Sequence, residues 1–138
     1  MYESLRAYIE KYASDTFSET DFEVVKKTFT HKRFKKGQFL LQEGDVCKYN
    51  AFILKGSMRL YSVDAKGIEH IIQFGIENWW VGDRESLTML TPSKYNIDAI
   101  EDTEVLLITS EELQQLTATL PIFSKMIHTL NQRNFSAS

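Results

Sequence analysis

Gly82, Asp83, Arg84 and Glu85, together with Lys94, are the residues of this sequence best suited by type and spacing to hold a small anionic ligand. The stretch Val81-Gly82-Asp83-Arg84-Glu85-Ser86-Leu87 follows a β-type run and is polar and glycine-bearing. Glycine lets backbone approach a ligand closely, and successive amides in a turn can hold an anion. Asp83 or Glu85 could accept hydrogen bonds from a sugar hydroxyl, and Arg84 and Lys94 could partner a phosphate. An ordinary charged loop has the same residues, so this stretch does not settle its role alone.

Other chemistries have weaker footing. His31, His70 and His128 are isolated from one another. A metal-dependent enzyme of the cupin type would need a close His-x-His pair, a glutamate and a further histidine. Glu69 adjoins His70, but neighbours on a strand point to opposite faces. Ser57 and Ser86 have no readable base beside them, so the chain is not read as an enzyme. Cys47 follows a Gly-Asp turn and adjoins Lys48, which could lower a thiol pKa. An inert, partly buried cysteine is the alternative. Trp79-Trp80 could stack on a planar ligand, although large aromatics more often pack in cores or interfaces.

A length of 138 residues fits one domain with a real core, and 43% apolar with 25% charged residues is ordinary for a soluble protein. No apolar run approaches the roughly 20 residues that span a bilayer. The N-terminus lacks the apolar core of a secretory signal, so a cytoplasmic location with no membrane partner is expected. A single cysteine excludes an intrachain disulfide and a thiolate-held iron–sulfur cluster. With net charge −3, the chain lacks the basic balance of a domain that grips DNA by itself. The densest basic run, Lys26 to Lys36, reads as solvated surface.

The elements that would position the candidate residues are mostly β. Leu5, Tyr8, Ile9 and Tyr12 lie at helical spacing, and Ser18-Glu19-Thr20-Asp21 is a helix start leading to Phe22, Val25 and Phe29 on one face. Short β-type runs follow at Phe39–Leu41, Tyr49–Leu54, Met58–Val63, Ile68–Phe74, Tyr95–Ile100 and Val105–Ile108. Asp64 to Gly67 reads as a hairpin turn. Many short strands with glycine-rich corners point to a sandwich or jelly roll. Ser110-Glu111-Glu112 then opens a helix, and Pro121 suits the first turn of another. Phe123, Ile127 and Leu130, widened by Ile122 and Met126, form an apolar seam. That seam could pack back on the domain or join a second copy.

The glycine punctuation resembles the cyclic-nucleotide-binding domain of Crp/Fnr transcription regulators. Phe34 with Gly37, Gly44-Asp45, and Phe52-Leu54-Gly56 match its opening elements. Gly82-Asp83 falls on the Gly-Glu of its nucleotide cradle, and Ala99 on the alanine that follows Arg-Ser-Ala, with no gap between. The resemblance implies a mainly β jelly roll with flanking helices and a long C-terminal dimerisation helix. It places the roll and N-terminal helices at residues 1–120 and the start of the dimer helix at 121–138. A DNA-reading helix-turn-helix is expected only in a longer parent, because nothing in these residues matches one. The chain is read as a fragment of such a regulator, with a stand-alone sensor as the alternative.

Within the cradle the match is incomplete. Asp83 stands for the ribose-binding glutamate and Arg84 for leucine, while Glu85 adds a negative charge. Ser93 occupies the place of the phosphate-clamping arginine, and Lys94 and Tyr95 replace Ser/Thr and Ala. Serine offers one neutral hydrogen bond where arginine offers a charge-assisted bidentate pair. The expected cradle is therefore Gly82, Asp83, Arg84, Glu85, Ser86, Ser93, Lys94 and Tyr95, without ordinary cAMP binding unless Arg84 or Lys94 turns inward. The expected protein is a signal-sensing effector domain. It would act as a homodimer through Phe123, Ile127 and Leu130, and its effector would be a cyclic nucleotide or another small anion. A ligand-free interaction module on the same fold is the alternative.

Overall fold

A computed structural model describes the backbone of residues 1–137 and the side chains of residues 1–133. It divides into two compact units, residues 30–110 and residues 1–29 together with 111–138.

Residues 30–110 form eight strands: β1 (Thr30–Phe34), β2 (Phe39–Leu41), β3 (Tyr49–Lys55), β4 (Met58–Val63), β5 (Glu69–Gly75), β6 (Trp80–Val81), β7 (Asn96–Ala99) and β8 (Thr103–Thr109). They make two four-stranded sheets, ordered β1-β8-β3-β6 and β2-β7-β4-β5, with every pairing antiparallel. This is the jelly roll that the short strands and glycine corners predict. The core draws Phe34, Ala51, Ile53, Val81, Val105 and Leu107 from one sheet. Leu41, Met58, Leu60, Ile97 and Ala99 come from the other. The Asp64–Gly67 turn closes the β4–β5 hairpin through a Gly67 N–H to Asp64 carbonyl bond of 2.9 Å.

Three elements go beyond the sequence reading. β1 lies inside the basic run, with only Phe34 of its five residues buried. β6 has two residues, too few for a periodic signal. A short helix, α3 (Arg84–Met89), stands where a charged turn was expected.

The other unit holds α1 (Glu3–Ala13), α2 (Glu19–Thr28), α4 (Ser110–Thr119) and α5 (Pro121–Ala137). Ser18 caps α2 by accepting from the Asp21 N–H at 3.1 Å, as its sequence predicts. Leu5 and Ile9 of α1 and Val25 of α2 are fully buried. Phe17 packs tilted on Phe22 at 5.5 Å and edge-on to Phe123 at 6.3 Å. Lys125 of α5 pairs with Asp15 at 2.8 Å and holds that carboxyl below its ordinary range.

The expected dimer seam needs a correction at its first residue. Phe123 is wholly buried within the chain, as are its neighbours Ile122 and Met126, so it is unavailable to a second copy. Ile127 and Leu130 are only half-buried.

Candidate functional site

The candidate residues are positioned by β6, α3 and the start of β7. Ala51 and Phe52 of β3 pair with Val81 and Trp80 of β6, which delivers the chain to Gly82. A Cβ at Gly82 would stand 2.7 Å from the Asn50 side-chain oxygen, so a larger residue there would have to displace the Asn50 side chain. Asp83 then caps α3: its carboxylate accepts from the Ser86 N–H at 3.4 Å, and its carbonyl accepts from the Leu87 N–H at 2.9 Å. Leu87 is buried in the core between the sheets and anchors the helix. Leu90, in a left-handed conformation, ends α3.

Asp83, Ser86 and Ser93 are buried at 7%, 1% and 4% exposure, and their polar atoms are committed within the protein. Ser93 Oγ donates to Asp83 Oδ2 at 2.6 Å and accepts from the Tyr95 N–H at 3.0 Å. The Ser93 N–H donates to the Asp45 carbonyl at 2.8 Å, and its own carbonyl accepts from the Gly44 N–H at 2.8 Å. Ser86 Oγ accepts from the Cys47 N–H at 2.8 Å and donates to the Thr91 carbonyl at 2.6 Å.

Chemically, this arrangement turns inward. A buried carboxylate repels an incoming anion, and the Tyr95 amide is already donating to Ser93. The Asp83 oxygens, expected to serve a sugar hydroxyl, here serve α3 and Ser93. Tyr95 is half-buried and packs against the core. Arg84, Glu85 and Lys94 point into solvent and make no ion pair among the described residues. Of the eight expected cradle residues, the structure joins Asp83, Ser86, Ser93 and Tyr95 in one network and leaves Arg84, Glu85 and Lys94 outside it.

A second polar cluster escaped the sequence reading. Arg59 of β4 bonds both oxygens of Asp98 on β7, at 2.8 and 3.2 Å, and Glu69 of β5 at 2.8 Å. Its guanidinium lies 4.0 Å from the centre of the Tyr61 ring. Asp98, and next Glu69, hold Arg59 in its charged form beyond its ordinary range. Burial raises the Tyr61 phenol, which donates to Asp98 at 3.4 Å. The cluster ties three strands of one sheet together. An arginine inside an apolar strand was the available signal for it.

The remaining candidates have structural surroundings. Burial pushes the Cys47 thiol up, which disfavours the reactive thiolate. His70 pairs with Asp64 at 2.9 Å, His31 lies 3.5 Å from Glu104, and His128 is exposed. Among the described residues no three His, Cys, Asp or Glu side chains gather to hold a metal. Trp80 packs on Phe52 at 5.1 Å, while Trp79 is exposed. No helix of the described residues is long and apolar enough to cross a membrane.

Comparison with known proteins agrees with this fold. The sequence profile of the cyclic nucleotide-binding domain matches residues 31–119. No curated protein gives a significant sequence match. A cyclic nucleotide-binding domain from Methylobacillus flagellatus superposes with a TM-score of 0.77 at 19% identity, covering 99% of this chain and 77% of that one. The N-terminal domain of a transcriptional regulator from Streptomyces coelicolor gives 0.74 at 15% identity, covering 99% and 95%. The catabolite activator protein of Thermus thermophilus gives 0.72 at 20% identity, covering 88% of this chain. This chain spans 56% of that protein's length.

Proposed function

Because the chain belongs to the cyclic nucleotide-binding domain family, we propose that it is the signal-sensing effector domain of a Crp/Fnr-like transcription regulator whose cradle does not take a cyclic nucleotide in the usual way. The observation that carries this reading is the buried 2.6 Å hydrogen bond from Ser93 to Asp83. A cyclic phosphate would have to displace that bond and sit beside the Asp83 carboxylate. No arginine compensates, since Arg84 and Lys94 lie outside the network in solvent. In such a regulator an effector acts by favouring one of two arrangements of the long helix. DNA reading would belong to a helix-turn-helix of the parent protein. A homodimer through α5 would rest on Ile127 and Leu130, the seam residues that burial leaves partly free.

The closed network also supports a second reading, that of an interaction module with no small-molecule effector. Calorimetric titration of the chain with cAMP and cGMP tests the first proposal. The expected result is no saturable heat at millimolar nucleotide. Micromolar binding would overturn it. If that binding fell on replacing Arg84 or Lys94 with alanine, one of those cations would be turning inward as a surrogate clamp.

A further inference from the structure

The far half of the β4–β5 hairpin stands clear of its sheet. β7 pairs with β4 from Met58 to Tyr61 and no further, so Ser62 and Val63 have only His70 and Glu69 of β5 as partners. Every residue from Val63 to Phe74 is exposed. A two-stranded ribbon is marginal in water without further bracing. Asp64 supplies that brace. Its N–H donates to the Ile68 carbonyl at 3.0 Å, and its carbonyl accepts from the Gly67 N–H. One carboxylate oxygen accepts from the Lys66 and Ile68 N–H groups at 2.8 and 3.0 Å, and the other lies 2.9 Å from His70 Nε2. The tip of the hairpin is therefore tied within itself.

Its join to the sheet is looser. Leu60 pairs with Gln73 and Tyr61 with Ile71, which leaves Ile72 without a partner in a bulge. A bulge interrupts the ladder and bends the strand. One ion pair spans it: Arg59, on the sheet side, donates to Glu69, on the far side, at 2.8 Å. Among the described residues no other side-chain hydrogen bond or ion pair joins residues 62–71 to the rest of the chain. Asp98 of β7 holds Arg59 through two further bonds, so the guanidinium keeps its place without Glu69. The Glu69 side chain is 48% exposed, which opens the pair to competition from water and salt. We propose that residues 62–71 form a rigid arm, hinged at the Ile72 bulge and latched by Glu69 on Arg59. Breaking that one pair lets the arm swing while Arg59 stays on Asp98, a hinge motion rather than a loss of structure. The device does not depend on what the cradle binds.

Pulsed electron paramagnetic resonance on the full chain tests this, with nitroxide labels at Lys66→Cys and Lys36→Cys. Lys66 lies in the turn of the arm. Lys36 is exposed, and its N–H is fixed on Asp102 at 2.9 Å. Cys47 is buried and takes no label. At low salt the labelled chain should give one narrow distance. Adding Glu69→Ala should raise the fraction at other distances about threefold, with unchanged circular dichroism. Raising salt from about 0.05 to about 1 M should shift the Glu69 chain the same way and leave Glu69→Ala unmoved, because only the former has a charge pair to screen. Amide hydrogen exchange at Asp64 and Gly67 should be equal in the two chains, since a swinging arm keeps the bonds of its tip. Identical distance distributions at low salt would overturn the latch, as would a salt response that persists in Glu69→Ala. Faster exchange at Asp64 and Gly67 in the variant would overturn the rigid arm, for the hairpin would then be melting.

Discussion

Replacing Arg59 with leucine is expected to lower the unfolding free energy by about 3 kcal/mol, the low end of what breaking a buried ion pair costs. The loss comes mainly from Asp98, whose side chain is 10% exposed and takes two hydrogen bonds from the guanidinium. Without Arg59, its remaining side-chain contact is Tyr61 at 3.4 Å. Glu69 contributes less, because its side chain is 48% exposed and water can solvate it. Arg59 itself is 25% exposed, which keeps the figure at the lower end. Leucine at both 59 and 98 should recover much of the loss, since removing both charges leaves no buried carboxylate unpaired. Urea unfolding followed by circular dichroism reads both effects. A single-variant loss below about 1 kcal/mol would place the cluster with screened surface pairs.

Gly56→Ala is expected to cost about 3–4 kcal/mol, from a positive φ and overpacking together. Gly56 sits between β3 and β4 at φ +95°, a conformation that side chains disfavour. A Cβ there would lie 2.6 Å from the Asp102 carbonyl oxygen and 2.8 Å from Thr103 Cα, and backbone cannot swing aside. Nor can the Thr103 side chain, whose hydroxyl accepts from the Ser57 N–H at 3.2 Å and lies 3.1 Å from its carbonyl. Gly67 serves as the control. Its φ is +82° with nothing within 4 Å of an added Cβ, so Gly67→Ala should cost only about 1–2 kcal/mol. Equal losses in the two variants would mean that backbone strain, and not the contact with Asp102 and Thr103, sets the effect at Gly56.

The roll was legible in the sequence where a local rule is strong. Ser18 with an acid three residues on is a helix start, and Asp64 to Gly67 is a hairpin turn. Alternating apolar residues gave most of the strands. β1 was hidden because Thr30–Phe34 buries one side chain and reads as part of a charge run. α3 was hidden because a six-residue helix has too few turns for a periodic stripe. Asp83 three residues before Ser86 was its one cue.

The residues proposed for the site were legible as a group, and their mutual bonding was not. The matches at Gly82, Asp83 and Ala99 are the sequence grounds for expecting a cradle there, and Ser93 for expecting it to lack its arginine. That Ser93 would donate to Asp83 could not be read, because residues ten apart meet only after α3 turns the chain. The Arg59–Asp98 pair is a contact across 39 residues, set by the pairing of β4 with β7. Phe123 misled for a related reason: an apolar helical stripe has the same spacing whether its partner is Phe17 of the same chain or a second copy.

The central claim is that the cradle is closed by its own chain, and amide-resolved NMR titration with cAMP tests it most directly. The account predicts that the amides of residues 82–99 keep their positions throughout, including those of Ser86 and Tyr95, which already donate to Asp83 and Ser93. Saturable shifts centred on Gly82, Ser86 and Tyr95 would contradict it, for they would mean that a cyclic nucleotide opens the Asp83–Ser93 bond and takes its place.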